Sequence, residues 1–152
     1  MAGPFTIAAQ ILVDGPRNTV VKITGDTTAA GPPIYPTTTI ITASTLSSML
    51  PGFAGSFAPT LLRIDKIDYS ITDGVIAQLM WHATTNVPIT ELYGRGHIDA
   101  KHYGGLQNNA GAGVTGDIDL ALIASGASAP ADSSILLILW LVKNRPQSLG
   151  GA

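Results

Sequence analysis

The chain has 152 residues, no cysteine, a net charge of −2, and only 12% charged residues against 45% hydrophobic ones. These figures exclude disulfides, thiolate metal sites and cysteine nucleophiles, and leave too little positive charge for an electrostatic nucleic-acid footprint. The apolar content excludes a disordered tail, and the length suits one domain.

Residue types point to strands. Glu91 is the only glutamate and there are four lysines, whereas threonine occurs 16 times beside 17 glycines and 10 prolines. Helix surfaces are built from the scarce types, while β-branched residues suit a pleated surface and Gly and Pro punctuate turns.

In chain order, Phe5 to Val13 reads as a first strand closed by Asp14-Gly15-Pro16, with no basic residues ahead of it to make a secretory leader. Thr19 to Thr24 alternates as a second. Residues 25–36, carrying Gly31-Pro32-Pro33 and Pro36, read as a Gly/Pro-rich arm. Thr37 to Ala43 is strand-like. Ser44 to Leu50 is the one helix start, with Ser44 as cap and Pro51-Gly52 as stop. Residues 53–60 read as irregular. Leu62 to Ile71 alternates, with a phase break at Asp65-Lys66 that predicts a bulge.

Asp73-Gly74 is a hairpin-turn signal. Val75 to His82 places Val75, Ala77, Leu79 and Trp81 on one face. Val87 to Tyr93 is a short strand, and His97 to Tyr103 reads as another after the Gly94-Arg95-Gly96 turn. Residues 104–116 form a small-residue loop. Asp117 to Ala124 is a strand with Asp117 and Asp119 on a solvated face. Residues 125–132 are a loop, and Ser133 to Lys143 is apolar on both faces. Its apolar run, Ile135 to Val142, is far short of the ~20 residues of a membrane helix.

The fold class expected is all-β: an antiparallel two-sheet β-sandwich, jelly-roll-like, with at most one short helix. The domain covers residues 1–146, with the arm at 25–36 and a C-terminal tail at 147–152.

Candidate chemistry is sparse. His97 and Asp99 share a strand face, but Lys101 beside them repels a cation, and neither His82 nor His102 adds a spacing typical of metal sites. No Gly-x-Ser-x-Gly elbow occurs, and for a catalytic carboxylate pair Glu91 is the only glutamate while Asp117 and Asp119 share one strand face that reads as solvated. The glycine-rich loop lacks the Lys-Ser/Thr of a phosphate cradle, with Val114 in that place and a strand following. Gly111 and Gly113 read instead as backbone-conformation residues. Trp81 shares its phase with Leu79 and reads as core, and Trp140 as core or interface. No catalytic, cofactor-binding or metal residue is assigned, and no enzymatic activity is expected.

Two stretches carry a likeness: Met80-Trp81-His82-Ala83-Thr84-Thr85-Asn86-Val87-Pro88-Ile89, and the loop and strand from Gly104 to Ile118 with its Gly-Gly-Leu-Gln-Asn-Asn-Ala-Gly-Ala-Gly core. With the Val20 to Gly25 and Ile64 to Ile71 strands, about half the chain resembles the capsid decoration (cement) proteins of tailed phages. That group often has Asp where this chain has His82 and Lys where it has Val114. The resemblance implies a non-enzymatic virion protein on the capsid exterior, made in the host cytoplasm. Its implied partners are the major capsid protein and its own copies as a homotrimer, with no nucleic acid, membrane or cofactor. A carbohydrate-binding module of a tail fibre or spike is the alternative, and a small hydrolase the third reading.

Overall fold

A computed structural model describes residues 6–15, 17–27, 35–46, 61–124 and 133–144. Nine strands form two antiparallel sheets: β1 (Thr6–Asp14), β2 (Asn18–Thr27), β3 (Tyr35–Ile41), β4 (Leu61–Ile71), β5 (Val75–Trp81), β6 (Val87–Leu92), β7 (Arg95–Asp99), β8 (Ile118–Ala124) and β9 (Ser133–Asn144). One sheet has the order β1-β2-β9-β4-β7, the other β3-β8-β5-β6. No helix beyond two 3-10 turns occurs among the described residues. The expected all-β sandwich is the observed one.

The pairing shows how the chain is wound. β2 pairs with β9, β3 with β8, β4 with β7 and β5 with β6, as in a long ribbon folded back on itself at the β5–β6 connection. Rolling that ribbon brings β9 against β4 and β8 against β5, which closes both sheets. This is jelly-roll winding, in which each doubled arm crosses between sheets. Among the described residues, β1 lies outside the roll and pairs with β2 alone.

Period-two alternation decides which side chains are enclosed. Val75, Ala77 and Leu79 are fully buried and Trp81 nearly so, while the residues between them are half-buried. Ile135, Leu137, Leu139 and Leu141 of β9 meet them from the other sheet with Leu62, Ile64 and Ile67 of β4. The bulge is real: the β4–β9 register slips between Ile64 and Lys66, so Asp65 is the extra residue and Ile64 and Ile67 both face inward. The main-chain oxygen of Asp65 accepts from the Ala100 N–H at 2.9 Å, and its carboxylate accepts from Arg63 Nε at 2.8 Å.

Four sequence expectations are corrected. Asp73-Gly74 makes a tight turn, with Gly74 at φ 94° and Val75 N–H donating to the Thr72 carbonyl, but its strands belong to different sheets. It is a corner that drives the chain across the sandwich. The strand expected over 97–103 begins earlier, at Arg95 within the turn expected at 94–96, and ends at Asp99, whose carboxylate accepts from the Lys101 N–H ahead of a 3-10 turn over Lys101–Tyr103. At Ser44 the chain makes only a 3-10 turn, Ala43–Thr45, and Leu46 is already extended, while 47–50 lie outside the described residues. Ser44 sits inside that turn rather than capping it. Finally, β2 continues through Gly25 to Thr27 and β3 begins at Tyr35, so only residues 28–34 of the arm expected at 25–36 lie between strands, and these are outside the described residues. The irregular stretch at 53–60, the loop at 125–132 and the tail at 147–152 also lie outside them.

One charge is sealed in. Lys143, at the end of β9, has a fully enclosed side chain whose Nζ donates to the Asp14 carboxylate and the Gly15 carbonyl, both at 2.6 Å. Thr19 Oγ1 donates to the same carboxylate at 3.2 Å, and the Lys143 N–H donates to the Arg17 carbonyl at 2.7 Å. These bonds lock the β1–β2 turn onto β9. A buried ammonium that loses a charged partner is costly, whereas replacing both members by apolar groups is nearly neutral. Asp14→Ala is therefore expected to lower the unfolding free energy by about 3 kcal/mol. Adding Lys143→Met should restore most of it, as read by urea denaturation of both variants.

Candidate functional site

Three places outside the core gather chemistry. The first is a polar cluster on the outer side of the four-stranded sheet. Asp119 of β8 is 2% exposed, although its position in the strand points it away from the core. Its carboxylate accepts from Thr39 Oγ1 of β3, from Asn86 Nδ2 and from the His82 ring at Nδ1, each at 2.7 Å. Asn86 in turn accepts the Ala83 N–H at 3.0 Å, which shapes the β5–β6 connection. Asp117 accepts the Ala43 N–H at 2.8 Å. The two aspartates thus tie β3 and the β5–β6 connection to β8, which corrects their reading as a solvated face.

The second is the loop before β8. Its Thr115 N–H donates to the His82 carbonyl, and Thr84 N–H donates to the Ala112 carbonyl. Gly113 has φ 79°, and a Cβ there would run into the Thr84 hydroxyl and stand 2.8 Å from the Thr84 nitrogen. Only glycine fits that approach. Gly111 differs from the expectation: its φ is ordinary and a Cβ would meet nothing within 4 Å.

The third is the outer face of the five-stranded sheet. Val20, Trp140, Ile138 and Leu136 lie side by side there, with Lys22 beside Ile138 on β2 and Lys66 and Asp68 beside Trp140 and Ile138 on β4. Leu136 is 37% exposed and Ile138 and Trp140 are half-buried. Lys66 Nζ lies 4.7 Å from the centre of the Trp140 ring, a cation–π contact that orients the indole. At one end of this face a cleft of about 340 Å³ is lined by Asn18, Lys66, Asp99, Lys101 and Trp140 among others.

The remaining candidates are dispersed. His97 and Asp99 are exposed on β7, opposite Asp68 and Lys66 of β4, and Lys101 and His102 sit in the 3-10 turn beyond it. Neither His97 nor His102 lines the cleft. No three metal-ligating side chains converge among the described residues. Tyr93 and Tyr103 are 55% and 87% exposed but flank opposite ends of β7, so they share no platform. His82, held at Nδ1 by a buried carboxylate, resembles half of a catalytic dyad. The hydroxyl bonded to that same carboxylate, Thr39, is a donor to Asp119 and contributes to holding the strands together. Trp81 is core, as its phase indicates, and Trp140 is the face residue of the pair.

Compared with known proteins, the chain matches no protein family, no curated protein and no solved structure.

Two stability outcomes check this description. Gly113→Val is expected to destabilise by about 1–3 kcal/mol, and Gly111→Val to leave thermal melting nearly unchanged. Asp119→Ala strands three donors at once and is expected to cost about 2–4 kcal/mol, measured by denaturant titration.

Proposed function

We propose that the protein is a phage virion structural protein, a capsid decoration (cement) protein that reinforces the head by laying one sheet face against the capsid lattice. The observation that carries this reading is the outer face of the five-stranded sheet. Its centre is the apolar row of Val20, Leu136, Ile138 and Trp140, and its flanks are Lys22, Lys66 and Asp68. An apolar centre inside a polar rim is how protein contact surfaces are arranged, with the rim excluding water from the anchors. A face made by strands of a stapled roll is also rigid, so binding costs little ordering. The low charge of the chain supports the same reading, because neutral surfaces lose little solvation on docking. The resemblance of the 80–89 and 104–118 stretches to decoration proteins supplies the capsid as partner. Copies seated together gain avidity on an assembled lattice that a free capsid subunit cannot offer, and three copies brought together by the lattice as a homotrimer would match its local threefold positions.

A second reading rests on the cleft beside Trp140. An indole edged by Asn18, Lys66 and Asp99 is chemistry suited to a saccharide, as in a carbohydrate-binding module.

The two readings separate cleanly. On the first, Leu136→Lys with Ile138→Lys reduces co-sedimentation with heads more than about tenfold and leaves melting close to that of the unaltered protein. Unchanged co-sedimentation of this folded variant, together with saccharide binding that Trp140→Ala abolishes, would replace the first reading with the second.

A further inference from the structure

Every open sheet has two edges, and an edge strand offers unpaired N–H and C=O groups to any other strand. Proteins blunt such edges with proline, charge, irregular pairing or short length. Three of the four edges here carry those devices. β3 contains Pro36 and pairs with two register shifts. β6 is six residues long, contains Pro88 and pairs across a bulge. β7 is five residues long and exposes Arg95, His97 and Asp99.

β1 is the exception. It is nine residues long, has no proline, and has no charge before Asp14, which is already engaged by Lys143. It also overhangs the roll. The second sheet has four strands against five, and Ile11, although opposite the buried Val21, is 48% exposed. A bulge at Leu12 leaves that residue 46% exposed and turns Val13, 52% exposed, to the other face beside Val20. Among the described residues the strand thus carries exposed apolar side chains on both sides and is open along its edge.

We propose that β1 is a self-pairing edge through which two copies of the chain join antiparallel about a two-fold axis, making one continuous sheet. The occupant follows from complementarity. With Ala9 on the axis, Ile7 lies beside the second copy's Ile11 on the core side, and Ala8 beside the second copy's Gln10 on the outer side. Small residues meet at the centre, isoleucines cover one another's overhang, and the two Asp14 carboxylates stand at opposite ends of the pair. A head-to-tail ring would instead need β1 to dock on a second kind of edge, and each of those carries a blocking device. Pairing with itself is isologous and closes at two copies. The inference needs no capsid and is independent of the lattice reading.

The absence of native cysteine makes the test direct. Sedimentation of the full chain is expected at twice the 15.7 kDa subunit mass. Ile11→Lys, on an exposed site, is expected to give a monomer with unchanged melting. Ala9→Cys should form a self-disulfide within minutes of mild oxidation, since directly opposed Cβ atoms lie about 4.5–5.5 Å apart, whereas Ser70→Cys should not. A strict monomer, a dimer or larger oligomer that survives Ile11→Lys, or equal cross-linking at both cysteine sites would each overturn the proposal. Head binding that persists in monomeric Ile11→Lys would leave the capsid reading standing while assigning β1 to solution dimerisation.

Discussion

β9 pairs with β2 over residues 133–142 and with β4 over residues 135–144, and the continuity of the five-stranded sheet depends on that double partnership. One face of β9 supplies Ile135, Leu137, Leu139 and Leu141 to the core, and the opposite face supplies Leu136, Ile138 and Trp140 to the surface. The core and the proposed contact face therefore draw on alternate residues of one strand. A slip of one register position would exchange the two sets, burying the outer row and exposing the leucines of the core.

Two polar assemblies, one in each sheet, fix how neighbouring strands align. At one end, Lys143 anchors to Asp14 and the Gly15 carbonyl. On the far sheet, Asp119 gathers donors from β3 and from the β5–β6 connection. Buried ionic and polar groups contribute little net free energy compared with apolar packing of equal volume. Their value is that each bond has one geometry, so an alternative alignment leaves a carboxylate or an ammonium unsatisfied. The apolar core supplies the driving force, and these groups select which pairing it drives.

Much of the fold was legible because the strands obey period two. The β5 face, the bulge at Asp65 and the two-sided β9 all follow from the order of apolar and polar residues. What escaped was long-range. Asp73-Gly74 fixes a tight turn, but whether its strands pair or part depends on sheet partners elsewhere in the chain, as the Thr72–Ser134 bonds, 62 residues apart, illustrate. Asp119 looks like a solvent-facing aspartate because nothing local announces that Thr39, His82 and Asn86 converge on it. The strand expected at 97–103 stops early because Asp99 caps a turn, a competition between side chain and backbone that hydropathy does not register. The candidate face was half legible: the apolar excess of 135–142 showed that a second surface must exist, and only the pairing placed Val20, Lys66 and Asp68 around it.

The position of β9 also sets a schedule. During synthesis β2 and β4 emerge long before the strand that must lie between them, and at 5–20 residues per second the gap between β2 and β9 is on the order of ten seconds. Through that interval β2 and β4 each present an unpaired edge toward the gap, although β1 and β7 are already available on their other sides. The nascent chain cannot complete its sheet a piece at a time. The facing edges of β2 and β4 stay open until β9 arrives, and an edge left open is one that another chain can pair with.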